Sequence, residues 1–239
     1  MAEFRGFGPK ALSFFKALKF HQSKAWFDEN RSLYERDVLE PMTALLGDLT
    51  AAFAKKKFPL RADGKRSIFR IHRDVRFARD KSPYKTHCGA VMTRTGAKND
   101  PGLLYIHIDP EGCFVAAGFY MPEPAELARV RKTIAADPKS FSKMEAALRK
   151  GRLSIGTESQ LSRIPKGFEA LKGGALEGAI RLKSFIVEES LPGKSITTGR
   201  ARGNHCRFRK ACRPAPPLRL AGARLVSPAR PVALTASGR

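Results

Sequence analysis

The sequence predicts an α+β fold, in which N-terminal helices precede a central antiparallel sheet and C-terminal helices pack on one face of that sheet. Apolar residues recur at helical spacing toward both ends of the first 192 residues, and at every second position between them. The extended segments follow one another without the long crossovers that parallel strands require, so we expect a meander of about four to five strands. With 239 residues, 42% of them hydrophobic, the chain is long enough to bury a substantial core.

Three helices are expected in the N-terminal part. The first is predicted by Leu12, Phe15 and Leu18 in "PKALSFFKALKF". The second, in "KAWFDENRSLYERDVLE", is expected to stop near Pro41, because proline breaks a helix interior but is tolerated in a first turn. Pro41 would then open a third helix with an apolar stripe typical of a core-facing surface, formed by Met42, Leu45, Leu46, Leu49 and Phe53.

The alternating region is expected to begin at Ser67 with "SIFRIHRDVRF", where apolar and charged residues take opposite faces of a strand. Further strands are predicted in "THCGAVMTR", "LLYIHID" and "GCFVAAGFYM", the last two joined by a turn at Pro110-Glu111-Gly112. Helical periodicity returns in "PEPAELARVRKTI" and "DPKSFSKMEAALRK". The second of these helices is expected to be capped by Asp137, with Pro138 in its first turn.

Residues 70–87, "RIHRDVRFARDKSPYKTH", contain six Lys or Arg residues together with two Asp, two His and one Tyr. In an extended conformation Arg70, Asp74 and Arg76 lie on one face, with same-face neighbours roughly 6.5–7 Å apart. Two guanidinium groups at this spacing can bind one multivalent anion, and the planar fork of arginine suits phosphate. The stretch therefore predicts an anion site, with a phosphate-bearing ligand as the expected partner.

The residues around this strand continue the same chemistry. Arg73 interrupts the alternation and either pairs with a carboxylate or is turned outward by a bulge. Pro83 cannot sit in a central strand, so "ARDKSPYKTH" is expected to be a loop that carries polar groups toward the next strand. The predicted anion-binding residues are Arg70, Arg73, Arg76, Lys81, Tyr84 and Lys85.

Asp74 and His87 are the candidate catalytic residues, and His87 is preferred for proton transfer. Neighbouring cations favour the carboxylate form of Asp74, which lowers its pKa and makes it a poor acid and a weak base. The same cations favour the neutral form of His87, which can accept a proton at pH 7. Asp74 is therefore expected mainly to orient the arginines.

Other interpretations of this stretch stay open. Alternating Arg and Asp residues also occur on solvated edge strands that are protected against aggregation. His72, Asp74 and His87 could hold a divalent metal, but the surrounding arginines would repel the ion, so we predict no metal site. His107 is expected to be a packed strand residue. The sequence contains no glycine-rich phosphate loop, and we predict no cofactor.

The same stretch resembles a bacterial protein family with fungal relatives, the domain of unknown function 2461, through the signature R-x-x-R-D-x-R-F-x-x-x-K-x-P-Y-K-x-H. Every specified position is matched, from Arg70 to His87. The resemblance also covers "AWFDENRSLYE", "AAGFYMPEPAEL" and "LKSFIVEESL", and extends from about Phe4 to Leu191. It implies membership of a family without an established reaction, which supports the site and leaves its purpose open.

Residues 193–239 differ from the rest of the chain. They contain 11 Lys or Arg residues and no acidic residue, so about half of the net charge of +23 lies there. Their Arg-, Ala-, Pro- and Gly-rich composition has no sustained period, which is typical of disorder. This tail could also be a shifted reading frame or a basic arm that binds nucleic acid. We therefore expect one α+β domain at residues 1–192 and a basic, disordered or frame-shifted tail at 193–239.

The sequence also predicts where the protein resides. The sequence has no apolar run of about 18 residues, so no membrane-spanning segment is expected. Four cysteines without a CxxC pair and an N-terminus unlike a signal peptide predict a reduced, cytoplasmic protein.

Three classes of function remain open. The chain could be an enzyme acting on a phosphorylated or nucleotide-like substrate, a nucleic-acid-binding or -processing domain, or a non-catalytic small-anion-binding module. Nucleic acid is expected to bind chiefly through the tail.

Overall fold

Helices flank one antiparallel sheet in the computed structural model, which describes residues 3–77, 79–192 and 196. The α-helices of these residues are α1 (Pro9–Phe20), α2 (Lys24–Tyr34), α3 (Glu40–Lys55), α4 (Pro124–Ala136), α5 (Pro138–Lys150) and α6 (Glu177–Arg181). The strands are β1 (Cys88–Thr93), β2 (Gly102–Ile108), β3 (Cys113–Phe119) and β4 (Phe185–Leu191). The predicted α+β class is confirmed. None of the helices in the described part of the chain is long and apolar enough to cross a membrane.

The sheet is a meander with the strand order β1-β2-β3-β4. The turn predicted around Pro110 lies between β2 and β3, as expected from the sequence. One face of the sheet is buried and contributes Ala90, Met92, Leu104, Ile106, Val115, Ala117 and Val187 to the core. The opposite face, which we call the outer face, carries the half-buried side chains of Tyr105, His107 and Phe114.

Two clusters of buried side chains hold these elements together. The larger one joins the buried face of the sheet to the first three helices, with fully buried residues that include Phe15, Leu18, Phe27, Leu45, Leu46 and Leu49. The smaller one joins the later helices and consists of Val130, Ile134, Phe141 and Ile180. Asp137 caps α5 as predicted, because its side chain accepts a hydrogen bond of 3.0 Å from the Ser140 N–H.

Helices α2 and α3 are continuous, so the predicted stop near Pro41 is wrong. The chain stays helical between them through a π-helical turn at Glu35–Leu39, and Pro41 lies in the first turn of α3. A proline inside a helix lacks an N–H group, and its ring clashes with the carbonyl four residues earlier. The wider π turn immediately before Pro41 accommodates the ring without ending the helix.

The strand predicted to begin at Ser67 is also wrong. A short 3-10 turn occupies Gly64–Ser67, and residues 68–77 form only isolated bridges to other segments. The alternation in the sequence does not correspond to two faces, because Ile71 is buried whereas the Phe77 side chain is 95% exposed. The fourth strand of the sheet is instead β4, much later in the chain.

Short irregular segments run along both edges of the sheet. Beside β1, the N–H of Arg61 donates to the Thr93 carbonyl at 2.8 Å, and the N–H of Phe69 donates to the Gly89 carbonyl at 2.8 Å. Beside β4, the N–H of Gly156 donates to the carbonyl of Ile186 at 2.9 Å. The residues after the 3-10 turn therefore lie next to β1 without becoming a regular strand.

Ile196 belongs to the larger core cluster, although it lies beyond residue 192, where we predicted the domain to end. Its side chain is buried, and its carbonyl accepts a hydrogen bond of 3.0 Å from the N–H of Phe7. The other residues of the predicted tail lie outside the described part of the chain. The division of the chain near residue 192 stays a prediction.

Candidate functional site

The charged stretch folds as an irregular loop that turns back on itself. Its two arms are joined by backbone hydrogen bonds of 2.8 Å, one from Arg73 to the Pro83 carbonyl and one from Lys85 to the Ile71 carbonyl. Function often resides on loops that a rigid scaffold holds in place. Here the scaffold is the edge of the sheet on one side and α2 on the other.

Several charged side chains of this loop are engaged within the loop itself. Asp74 and Arg76 form an exposed ion pair, with 2.7 Å between Oδ2 and Nη2 and 3.0 Å between Oδ1 and Nε. Arg73 forms an ion pair with Asp80. Lys81 donates to a backbone carbonyl of the loop at 2.9 Å. Arg73, Arg76 and Lys81 are therefore each engaged by a partner within the loop, and their anion binding stays a prediction.

Tyr84 anchors the loop to the helices. Its ring is buried and stacks on the ring of Phe27, with 4.6 Å between the centroids. Its N–H donates to Oε1 of Gln22 at 3.0 Å. The ring of His72, from the other arm of the loop, lies 6.0 Å from that of Phe27. The aromatic part of Tyr84 thus belongs to the core.

Arg70, Lys85 and Lys98 form a group that we call the cation cluster. The Nζ atoms of Lys85 and Lys98 lie 5.7 and 4.9 Å from the centroid of the Phe69 ring. Burial lowers the pKa of Lys85, and the charges of Arg70 and Lys98 lower it further. The structure therefore brings together two of the predicted anion-binding residues, Arg70 and Lys85, and adds Lys98, which the sequence analysis did not select.

Two histidines and a carboxylate meet at one end of the outer face. Oδ2 of Asp109 lies 3.5 Å from Nε2 of His107 and 4.0 Å from Nδ1 of His87. The two imidazole rings are in contact, with 4.5 Å between their centroids. The Tyr105 hydroxyl lies 3.0 Å from Nδ1 of His107, and the Phe114 ring stacks on the same imidazole. We call His87, His107 and Asp109 the histidine–aspartate cluster.

The surroundings lower the pKa of both histidines and of Asp74. Burial lowers the pKa of His87 to about 4, and His107 acts in the same direction while Asp109 opposes it. Burial also lowers the pKa of His107. Hydrogen bonds from Arg76 lower the pKa of Asp74. The directions at His87 and Asp74 agree with the expectation, but burial and not cationic neighbours is the main cause at His87.

Gly89 makes room for Tyr105 on the outer face. It lies in β1 opposite His107 of β2. A Cβ atom at position 89 would lie 2.6 Å from the Tyr105 hydroxyl oxygen and 3.0 Å from its Cε2 atom. A side chain here would displace the Tyr105 ring, and with it the contact to His107.

The sequence analysis did not select His107 or Asp109, and it predicted that His107 is simply packed. A signal was nevertheless present, because Tyr105, His107 and Asp109 alternate with two buried isoleucines. Polar residues at every second position of a strand share one face. The approach of His87 to this face depends on how β1 pairs with β2, which no local pattern reveals.

Comparison with known proteins identifies a family that the chain matches. A family model described as Conserved hypothetical protein (DUF2461) matches residues 10–215, which is most of the chain. The matched range extends beyond Leu191, where the resemblance seen in the sequence ended. No curated protein and no solved structure matches.

Proposed function

The chain belongs to a family of conserved hypothetical proteins of unknown function (DUF2461), and from that premise we propose that it binds a phosphate-bearing small ligand at the cation cluster. The observation that carries the proposal is the position of Lys85. Its side chain is half-buried, its Nζ atom lies 5.7 Å from the centroid of the Phe69 ring, and the charges of Arg70 and Lys98 are close enough to lower its pKa. The phosphate group of the ligand then supplies the negative charge that balances these three cations.

The electrostatics of the cluster support binding of an anion. Like charges held close together raise the free energy of the folded protein, and the lowered pKa of Lys85 reflects that repulsion as well as burial. Among the described residues, none of the ion pairs includes Arg70, Lys85 or Lys98. An anion would relieve the repulsion, and a ligand that binds only the folded state adds stability by mass action.

Aromatic rings beside the cations support a nucleotide-like ligand. The Phe69 and Tyr105 rings lie 6.1 Å apart, and both side chains are half-buried. A flat group attached to the phosphate can stack on such rings, since bases stack on aromatic side chains irrespective of their sequence. Phosphate and a flat ring are thus the two features of the proposed ligand.

Replacing Lys85 with alanine is expected to weaken binding of inorganic phosphate and of AMP by about 10- to 100-fold. This is the range that follows from the loss of a hydrogen bond to a charged group. Isothermal titration calorimetry on the wild type and the variant measures it. The matched control is Arg76→Ala, which is expected to change affinity little because Arg76 is paired with Asp74.

Two results would count against this proposal. If the wild type binds neither phosphate nor AMP, the cation cluster is not an anion site for such ligands. If Arg76→Ala weakens binding as much as Lys85→Ala does, the ligand contacts the charged loop in the way the sequence analysis predicted.

Non-specific nucleic-acid binding through the tail is a second proposed function, and the 11 basic residues without an acidic one in residues 193–239 favour it. A chain that ends at Gly199 keeps Ile196, which packs in the core. We expect this shorter chain to lose most affinity for double-stranded DNA at low salt, since basic residues bind DNA by releasing its counterions. Fluorescence anisotropy at several salt concentrations measures the loss. If the shorter chain keeps full affinity for DNA, the folded part of the chain, and not the tail, binds the nucleic acid.

A further inference from the structure

The register of the first two strands brings three metal-binding side chains together. β1 begins opposite the end of β2, because Cys88 pairs with Ile108. His87 directly precedes β1 and Asp109 directly follows β2, so this pairing brings the two residues to the same end of the strand pair, and His107 precedes the carboxylate by two residues. One donor atom from each of the three residues lies within 4.8 Å of the other two.

We propose that His87, His107 and Asp109 bind one divalent transition-metal ion, of the class to which Zn²⁺ and Fe²⁺ belong. Two imidazoles and one carboxylate are a ligand set that suits such ions. Bonds of about 2.0–2.2 Å place ligand atoms roughly 3–3.5 Å apart around an ion. Oδ2 of Asp109 already lies 3.5 Å from His107 Nε2 and 4.0 Å from His87 Nδ1, so small side-chain rotations close the site.

Tyr105 is placed to orient one of the ligands. Its hydroxyl oxygen lies 3.0 Å from Nδ1 of His107. When that oxygen accepts a hydrogen bond from Nδ1–H, the other ring nitrogen, Nε2, presents its lone pair toward Asp109 and the ion. Histidine ligands in metal sites generally donate their second N–H group in this way, which sets both tautomer and ring orientation.

The site would be open on its solvent side. The side chains of His87, His107 and Asp109 are 32%, 14% and 17% exposed, respectively. Three protein ligands that leave a position for water or a substrate are typical of catalytic metal sites and not of structural ones. In this assignment His87 is a ligand, and it does not take the proton-transfer role that the sequence analysis predicted.

The cationic neighbours limit the affinity of the site for the metal ion, and they favour an anion at the open coordination position of that ion. Lys85 and Arg73 are close enough to His87 to affect its pKa, so they oppose a bare cation. Once the ion carries an anionic ligand, the same charges attract that ligand. The metal site goes beyond the proposed phosphate binding and does not depend on it.

Titration of the full-length chain with Co²⁺, followed by competition with Zn²⁺, tests the proposal. Three residues outside the proposed site, whose side chains are of types that can coordinate such ions, are first replaced by H205A, C206S and C212S to give a background chain. In this background we expect one equivalent of Co²⁺ to bind, with visible absorption bands of nitrogen and oxygen coordination. His107→Ala and Asp109→Asn are each expected to weaken binding by about 100-fold or more, and Tyr105→Phe by about 10-fold.

The matched control is His72→Ala, which removes an exposed imidazole from the neighbouring loop and should leave Co²⁺ binding unchanged. A background chain that binds no Co²⁺ would overturn the proposal, and so would equal affinity in the background chain and Asp109→Asn. Circular dichroism and thermal unfolding in EDTA check that each variant is folded. If His107→Ala does not fold, Asp109→Asn, which keeps the shape of the side chain, decides the question.

Lys85→Ala separates this inference from the proposed function. The variant should bind phosphate about 10- to 100-fold more weakly and bind Co²⁺ at least as tightly as the background chain, because Lys85 is not one of the three ligands and its charge opposes a bare cation. Loss of Co²⁺ binding in Lys85→Ala together with unchanged binding in Asp109→Asn would contradict the assignment.

Discussion

Gly118→Ala is expected to lower the free energy of unfolding by about 3–5 kcal/mol, which is a large part of the stability of a typical domain. Gly118 lies in β3 with a φ of +139°, a conformation that residues with a side chain rarely adopt. A Cβ atom there would lie 1.9 Å from the backbone oxygen of Phe185 in β4. The clash is with backbone, so it is relieved only by separating the two strands.

Urea unfolding followed by circular dichroism measures this effect. The control is Gly178→Ala in α6, where a new Cβ atom meets nothing within 4 Å apart from its chain neighbours and the backbone of its own helix. Alanine at such a helical position is expected to be neutral or to stabilise by up to about 1 kcal/mol. Similar unfolding free energies for the two variants would mean that β3 and β4 can move apart at little cost.

Phe27→Ala is expected to cost about 3–5 kcal/mol, the usual range for a large aromatic residue removed from a core. The Phe27 side chain is almost completely buried and stacks on Tyr84 at 4.6 Å. Its removal leaves a cavity and also takes away the surface against which the charged loop packs. We therefore expect faster hydrogen exchange at the Lys85 amide, whose hydrogen bond to Ile71 joins the two arms of the loop.

Phe20→Ala provides the matched control, because Phe20 is the same residue type at the end of α1 and its side chain is exposed. It is expected to change stability by less than about 0.5 kcal/mol. Unfolding free energy from urea titration and amide exchange by mass spectrometry measure the two effects of Phe27→Ala. Unchanged exchange in the loop, despite lower global stability, would show that Tyr84 holds the loop without Phe27.

The elements that the sequence predicted well are those whose side-chain period reflects real burial. The stripe from Met42 to Phe53 is buried in α3, and β2 buries every second residue from Leu104. The strand β4 shows no such alternation. Its first two residues, Phe185 and Ile186, are both half-buried, and Glu188, Glu189 and Ser190 are all exposed. Its partner β3 is also distant in the chain, so local periodicity could not identify the pairing.

The prediction of a strand after Ser67 was wrong because apolar and charged residues alternate there although the segment forms no continuous pairing with another strand. The backbone there is shared between β1 and the returning arm of its own loop, which contains Pro83. Proline cannot donate to a strand ladder, and the exposed ion pair of Asp74 with Arg76 shows that charges in this segment are satisfied locally. Neither of these interactions can be recognised from the spacing of residues in the sequence.

The candidate site was predicted only in part, for a similar reason. Arg70, Lys85 and His87 were selected because they lie in one charged stretch. Lys98 and the histidine–aspartate cluster depend on residues brought in from the following strands and their connection. Chemistry assembled across strands becomes visible only when the register of the strands is known.

The segments that run along both edges of the sheet also bear on how copies of the chain behave toward one another. An uncovered edge strand presents a row of N–H and C=O groups that can recruit another chain and start aggregation. Here Phe69 occupies part of that row beside β1, and Gly156 occupies part of it beside β4. The irregular loop that carries Arg70 and Lys85 thus also limits edge-to-edge growth of the sheet, so weakening its attachment would expose backbone groups and lower solubility.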